Sequence, residues 1–503
     1  MTTVTVDGDG SGDYNCTGVD DQNVINSALE WAYTDGIDSD PSTVYLNGPC
    51  SYLISNQLYF GSNTILTGDP TATIKVQDYT CGNNIPYGSP GASCVFPDGK
   101  CVMAQMPGTV PSNVEIFGFE IDGNCQNQYT KLGLAHGVPS SAGSGVERMI
   151  GFFGSSTGAN VNGVKVHDMH FRDAFGESLI IRFGKNIQFY NNKCENHQHE
   201  TVYYIGVVGS GNTIDNNTIQ GISSDCIRCS NSQGIDIHHN SLSSYLGPNN
   251  NGAALHGQSG IQICNESNKS ILTNSINIHD NIISDQGLAG IWIDDQLRTA
   301  GNTSQSVTIY NNIITGCGWS CWANWASGIS IGPWGNGITI EANTIDGSYQ
   351  DGIQILSAIS APSAHIVNIK YNNIINTLGK RSGSSGSSLT DVGYGIYSAV
   401  LDTVTIVNSN NNYFIGNLKG DYLGQINTIT DELVNGQLGL MIPTKTRYMF
   451  YRLQEAVTGD TALIYPAPGG EYYLLKLTQS VAKGDQMLAI PGAKGDFYGV
   501  STN

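Results

Sequence analysis

The chain predicts an all-β fold in the form of a parallel β-solenoid, on three observations. A hexad, apolar-x-x-Asn-x-apolar, recurs through the middle of the 503 residues. A short strand with two inward apolar residues around one outward position alternates with it. Gly is abundant at 62 residues and Pro scarce at 16, which reads as turn-rich β structure rather than collagen or linker.

The hexads are Phe189–Cys194, Ile214–Ile219, Ile237–Leu242, Ile278–Ile283, Ile309–Ile314, Ile340–Ile345 and Ile369–Ile374. Val166–Phe171 fits with Met169 in the Asn slot, and successive slots then lie 23, 25, 23, 41, 31, 31 and 29 residues apart. The interleaved strands are Leu179–Ile181, Val202–Tyr204, Ile227–Cys229, Ile261–Ile263, Ile291–Ile293, Ile329–Ile331 and Ile353–Ile355; from Gly260 onward most follow a Gly. Short alternating strands at this period, separated by turn residues, mark a β-solenoid. A stacked Asn at one corner of each coil can bond its neighbours and the turn backbone, pairing groups that burial would otherwise strand. Intervals of 41 and 31 imply loops pushed out of the coil. The leucine-rich consensus is absent, and a propeller needs longer four-strand repeats.

Solenoids need covered ends. Asp20–Ala32 reads as a capped amphipathic helix, apolar at i, i+3 and i+4 and ended by Gly36. The expected organisation is an N-terminal cap over 1–43 and a solenoid over 44–418, opening with the strand Val44–Leu46. Inserted loops are expected at 78–110, 125–160, 245–258, 295–305 and 317–326. A β-rich C-terminal module follows over 419–503.

Lys and Arg number 22 against 42 Asp and Glu, a net charge of −20. That excludes the basic face a nucleic-acid binder needs and disfavours an anionic membrane surface. Only 13% of residues are charged, so the chain is not a disordered acidic one. No apolar run reaches the roughly 18 residues of a membrane span, and no membrane insertion is expected. The 12 Cys permit six disulfides, and the sequons Asn15-Cys16-Thr17 and Asn302-Thr303-Ser304 fit an exported chain. Met1 leads straight into Thr2–Val6, which reads as a mature or trimmed chain. Cys226 and Cys229 have CxxC spacing, but no second pair completes a zinc site.

The helix-then-solenoid order, the Asn corners and the Gly-Ile-x-Ile strands resemble the right-handed parallel β-helix of pectate-lyase-like carbohydrate enzymes. The opening Val6–Cys16, leading into Gly18–Ile25, with Val44–Pro49 and Tyr52–Ile54, resembles surface β-helix proteins of methane-producing archaea, disaggregatase among them. That resemblance implies depolymerisation of methanochondroitin, a matrix of uronate and N-acetylgalactosamine, outside the cell or at its surface.

The Asn register also stacks side chains. Eight residues after the slots at Met169, Asn192 and Asn217 come Glu177, Glu200 and Asp225, so three successive coils place a carboxylate at one corner. Neighbours should lie about 4.8 Å apart and the outer two about 10 Å. Carboxylates about 5–5.5 Å apart suit a retaining glycosidase, and about 6.5–9.5 Å an inverting one. The column breaks at Ser259, Ala289 and Ser327 and returns at Asp351, less evenly than a turn preference alone would run. Outward on the same strands are Ile180, Tyr203, Arg228, Gln262, Trp292, Ser330 and Gln354, with Arg182 and Asp294 near the strand ends. Arg182 and Arg228 can hold a uronate carboxylate in a guanidinium fork, or pair with the acids.

His197 and His199 lead into this face as base, substrate contact or polar turn pair. His238 and His239 lie on another face and read as structural. Trp322 and Trp325, beside Trp319 and Trp334, sit in a loop that Cys317 and Cys321 can close; they suit sugar stacking or packing alike. The substrate-binding candidates are thus Arg182, Tyr203, Arg228, His197, His199, Gln262, Trp292, Asp294, Trp322 and Trp325. No cofactor is expected, with calcium the one metal the acids would suit.

The leading expectation is a glycoside hydrolase on an acidic polysaccharide, using Glu177, Glu200 and Asp225. A polysaccharide lyase is the alternative, with Arg228, Tyr203 and His199 at its centre. A non-catalytic adhesin or tail-fibre protein is the other, since fold does not fix function.

Overall fold

The computed structural model describes residues 2–78, 101–124, 127, 148–174, 176–197, 199–222, 224–244, 259–265, 271–295, 305–319, 326–332, 336–356, 365–379, 392–399, 405–424 and 427–428, and in the C-terminal unit 449–452, 462–466, 472–477, 486–491 and 497–501. One coil shows the construction. Val161–His167, His170–Arg172 and Glu177–Arg182 each pair in parallel with their counterparts Gly184–Tyr190, Lys193–Glu195 and Val202–Ile205 in the next coil. Repeated along the chain, this builds three parallel sheets of 15, 12 and 12 strands, a right-handed parallel β-helix.

Alternation along each strand decides what is inside. On the third sheet Ile181, Tyr204, Cys229, Ile263, Ile293, Ile331 and Ile355 stack in register, all buried. Each such side chain contributes roughly 1.5–3 kcal/mol by leaving water. The glycine before many of these strands has a packing reason. A Cβ at Gly260 would meet Ile283 Cγ2 at 2.5 Å, and one at Gly290 would meet Ile314 Cγ2 at 2.4 Å. The second-sheet isoleucines occupy that space.

The asparagine corner is a continuous ladder. Asn312 shows the pattern: its Oδ1 accepts from Asn281 N at 3.0 Å and Asn281 Nδ2 at 2.9 Å. Its Nδ2 donates to Ile278 O at 2.9 Å, Tyr310 O at 3.0 Å and Asn343 Oδ1 at 2.9 Å. The residue before each slot is left-handed, for example Asn191 (φ 56), Asp280 (φ 54) and Asn311 (φ 55). Asn and Asp tolerate that region; Ala342 (φ 55) and Tyr371 (φ 57) adopt it at roughly 1–2 kcal/mol each. The ladder runs one coil beyond the hexads, from Asn372 N to Asn412 Oδ1 at 2.9 Å. There the apolar opening is replaced by Ser409, whose Oγ accepts from Asn412 Nδ2 at 2.9 Å.

The helix spans Gln22–Asp35 and buries Ile25, Ala28, Leu29 and Ala32 over the first coil. Asp21 does not cap it; its carboxylate accepts from Thr17 N, Gly18 N and Leu53 N instead, tying the incoming chain to the second sheet. Within the expected cap, Thr3–Asp7 is a first-sheet strand paired with Ser42–Leu46. Within the expected loops 78–110 and 125–160, Cys101–Gln105 and Arg148–Phe153 are third-sheet strands. Both follow long excursions, and neither carries the Gly-Ile-x-Ile pattern. Of the other expected loops, 245–258 and most of 295–305 and 317–326 lie outside the described residues. Past residue 418, Gly420–Gly424 and Asn427–Thr428 still extend solenoid sheets, and the unit runs to Thr428. The second unit, Ile429–Asn503, holds a five-stranded mixed sheet.

The disulfides expected from the Cys count are not found among the described residues. Cys16, Cys50, Cys101, Cys194, Cys226, Cys229, Cys264 and Cys317 are thiols, all buried but Cys50. Cys194 and Cys229 fill inward positions as small apolar groups do, and burial pushes the Cys194 thiol up to about 12. Among the described residues, no helix is long and apolar enough to cross a membrane.

Replacing Asn312 by Ala strands buried donors and acceptors on both neighbouring coils. It should destabilise the solenoid by roughly 2–4 kcal/mol, where Thr218→Ala on the exposed second-sheet face should change it by less than about 0.5 kcal/mol. Thermal or denaturant melting of both variants checks this; equal effects would mean that the ladder does not hold the coils.

Candidate functional site

The third-sheet register brings the acids together. Leu179, Val202, Ile227 and Ile261 align across four strands, so Glu177, Glu200, Asp225 and Ser259 stack two residues upstream. Backbone bonds at the corner hold them there: Ser178 N to Thr201 O at 2.8 Å, Thr201 N to Asp225 O at 3.3 Å and Cys226 N to Ser259 O at 3.0 Å. The turn into each strand is set by a left-handed residue, Asp173, Asn196 or Gly221. One coil earlier the same column holds Arg148, paired in register with Glu177. The sequence reading missed Arg148 because it follows a long excursion with no hexad to set its register.

Cations flank the carboxylates of this column. Arg148 Nε lies 3.5 Å from Glu177 Oε2. His199 Nδ1 lies 3.6 Å from Glu177 Oε1 and makes a closer contact with Glu200 Oε2. Arg228 Nη1 donates to Glu200 Oε1 at 2.7 Å, and its guanidinium lies over the Tyr203 ring, 5.2 Å from the centroid. Ser230 Oγ donates to Tyr203 Oη at 3.3 Å. Accessibility sorts the groups by sign. The Glu177 and Glu200 side chains are 4% and 1% accessible, those of Arg148, Arg228 and His199 16%, 13% and 43%.

These contacts set the protonation states. Burial works to raise Glu200, but His199 and Arg228 outweigh it and hold the carboxyl at about 2. Burial works to lower His199, and Glu200 and Glu177 overcome it, raising the imidazole to about 11. Asp225 moves the other way: burial pushes it up to about 7, with Glu200 adding to the shift and Arg228 opposing it. Its Oδ1 accepts from Ser259 N at 2.7 Å, while its buried Oδ2 has no hydrogen-bond partner.

The other candidates fall at varied distances from this cluster. His197 turns inward: it is buried, its Nδ1 lies 3.0 Å from Gly176 O, and burial lowers it to about 4. It does not reach the face, because the left-handed corner at Asn196 breaks the alternation that would place it beside His199. Tyr203, Arg228, Gln262 and Trp292 are consecutive in one outward column. Gln262 is nonetheless fully buried, and neither of its amide atoms has a partner. Arg182 is exposed and stacks over Phe153, 5.6 Å from the ring centroid, away from the acids. Asp294 lies in register with Cys264, itself in register with Ser230, two residues further along the strands. Trp322 and Trp325 lie outside the described residues.

Glu177, His199 and Glu200 each bring a ligand atom to within 4.8 Å of one another, a spacing a metal ion can use. Arg148 and Arg228 already supply positive charge to both carboxylates, and a cation would face both guanidiniums. Calcium prefers about six to eight oxygen ligands, which this set does not offer. Arg148, Glu177, His199, Glu200 and Arg228 together form an ion-pair cluster.

A family model described as "Disaggregatase related" matches residues 273–438 of the chain. That segment lies C-terminal to the cluster. No curated protein matches. A tailspike protein of the E. coli bacteriophage HK620 is 12% identical, with a TM-score of 0.51 over 84% of this chain and 65% of the tailspike. The catalytic unit of a GH87 α-1,3-glucanase from Streptomyces thermodiastaticus is 12% identical, with a TM-score of 0.50 over 81% of this chain and 65% of the glucanase. The mannuronan C-5 epimerase A-module of Azotobacter vinelandii is 16% identical, with a TM-score of 0.42 over 82% of this chain and 96% of the module. At these identities the shared feature is the parallel β-helix.

A histidine-selective NMR titration tests the electrostatics. Neither His197 nor His199 should show an inflection near 6.5: His197 stays neutral down to about 4, and His199 stays charged up to about 11. An ordinary inflection for His199, assigned by its loss in His199→Asn, would mean that the two glutamates do not hold it.

Proposed function

We propose that this chain is a glycoside hydrolase that depolymerises an acidic, amino-sugar-containing matrix glycan of the methanochondroitin type, outside the cell or at its surface. The observation that carries this reading is a pair of carboxylates, one coil apart, pushed in opposite directions. Glu200 is held at about 2 and Asp225 is raised to about 7. Environments that split two carboxyl groups in this way assign a base and an acid. Strands about 4.8 Å apart put the pair near the separation of a retaining enzyme. The match to the disaggregatase-related model supports a polysaccharide substrate.

In this mechanism Asp225 gives its proton to the glycosidic oxygen as that bond breaks. Glu200 attacks the anomeric carbon and forms a glycosyl ester. Asp225, now a carboxylate, takes a proton from water; the hydroxide so formed displaces Glu200 and completes the cycle. Arg228 holds the Glu200 carboxylate ionised and oriented. Glu177 and Glu200 together fix His199.

A second reading has its own observation. The accessible members of the cluster are the cations, and the carboxylates lie behind them. A lyase neutralises the uronate carboxylate with such groups and removes the C5 proton; Tyr203, under Arg228, is the base this site offers.

Assaying a uronate and N-acetylgalactosamine glycan for new reducing ends and for unsaturated-uronate absorbance separates the two. Reducing ends without absorbance are expected, with Glu200→Gln and Asp225→Asn each lowering turnover by about 100- to 10,000-fold. Both signals rising together would make the enzyme a lyase, and glycan binding without either would make it an adhesin. The reaction needs Asp225 protonated and Glu200 ionised. kcat/KM should therefore hold through the acid range and fall as pH rises through about 7. A profile still rising above pH 7 would remove Asp225 from the acid role.

A further inference from the structure

His199 is held by one side of its ring. Glu177 and Glu200, on successive coils, both contact Nδ1. Carboxylates at one imidazole nitrogen fix the ring's orientation and leave the other N–H to face outward. No described contact engages Nε2, and the side chain is 43% accessible, the most open in the cluster. The charge is also out of balance. Arg148, His199 and Arg228 face two carboxylates, Glu177 and Glu200, and Asp225 keeps its proton until about pH 7. The cluster is therefore one negative charge short, within a chain whose net charge is −20. An excess cation on an acidic surface selects a bound anion locally, since the rest of the surface repels it.

We propose that His199 Nε2–H, flanked by Arg148 and Arg228, is the seat of an anionic group on the substrate sugar, a uronate carboxylate or a sulfate ester, beside the bond that is cleaved. This rests on the hydrolase reading and adds to it the group that holds the substrate's charge. Charge-assisted donation from the imidazolium to such an oxygen is roughly twice as strong as a neutral hydrogen bond. His199 is then a binding group in contact with substrate rather than a base.

The test uses Asp225→Asn, which keeps the charge of the protonated acid while removing its proton. Binding is measured by calorimetry at about pH 6 with three probes: chondroitin oligosaccharides, the same oligosaccharides with their carboxyl groups reduced to alcohols, and carboxyl-reduced sulfated ones. Carboxyl reduction should weaken binding at least about 10-fold. Restored affinity for the sulfated probe assigns a general anion seat, and no restoration assigns a uronate seat; both support the proposal. Adding His199→Gln should erase the preference for the charged probe, and His199→Lys should keep it, so a loss of folding in one variant does not decide the result. Equal affinity of Asp225→Asn for charged and neutral probes would overturn the proposal, even if the wild type hydrolyses the glycan. A charge preference with no hydrolysis by the wild type would overturn the hydrolase reading and leave the anion seat standing. Failure of all three probes to bind would overturn both.

Discussion

One hydrogen-bonded corner sets the height of every coil. Each ladder asparagine accepts the backbone N–H of the slot before it and donates to a backbone carbonyl of the preceding coil, as Asn217 does with Asn192 N at 2.9 Å and Phe189 O at 3.0 Å. The constraint acts through space, not along the chain. Intervals of 23 residues and of 41 therefore close onto the same corner with the same bonds. The extra residues fall between the strands, before or after the third-sheet one, and the columns on either side keep their register. A catalytic column can exist on this scaffold because the ladder makes residues that are distant in sequence neighbours in the stack.

The same constraint explains what the sequence reveals. Counting eight residues from a slot finds Glu177, Glu200 and Asp225 because corner and strand are joined by a turn of constant length in those coils. Arg148 escapes the count because no asparagine stands before it, and Asn412 escapes because Ser409 opens its hexad with a hydroxyl. The histidines of Asn196-His-Gln-His-Glu200 look alike in sequence. The backbone separates them, since a left-handed residue at Asn196 sends His197 under the turn and leaves His199 above it. The thiols mislead for a related reason: Cys194 and Cys229 occupy inward slots that Ile fills elsewhere, so an even count of cysteines says nothing about pairing.

Stability alone does not account for the cluster. Taking an ion out of water costs several kcal/mol, and a buried pair is commonly no better than a well-packed apolar one. The corner offers that cheaper solution in other coils, with Ser259, Ala289 and Ser327 at the same height. Among the described residues of this corner, several adjoining coils are charged only where Arg148, Glu177, His199, Glu200 and Arg228 meet. Departures from the local rule of a repetitive fold are expected where function, rather than folding, sets the residue.

Asp351 supplies the comparison that decides how Asp225 should be understood. Both occupy the same corner, and both accept backbone N–H groups from the following coil. Asp351 Oδ1 takes two, Gly393 N at 2.8 Å and Tyr394 N at 2.9 Å, where Asp225 Oδ1 takes Ser259 N at 2.7 Å. An aspartate here is thus first a backbone tie. Asp225 differs in what stands one coil before it: the ionised Glu200, where Asp351 has Ser327. Burial raises Asp225 most and the negative charge of Glu200 adds to it, so Asp225 keeps its proton while one oxygen still holds the backbone. The other oxygen, buried and without a hydrogen bond, is the one whose proton can be given away. Burial raises the Asp225 carboxyl and its neighbour on the column adds to the shift, so the acid belongs to the stack as much as to the residue.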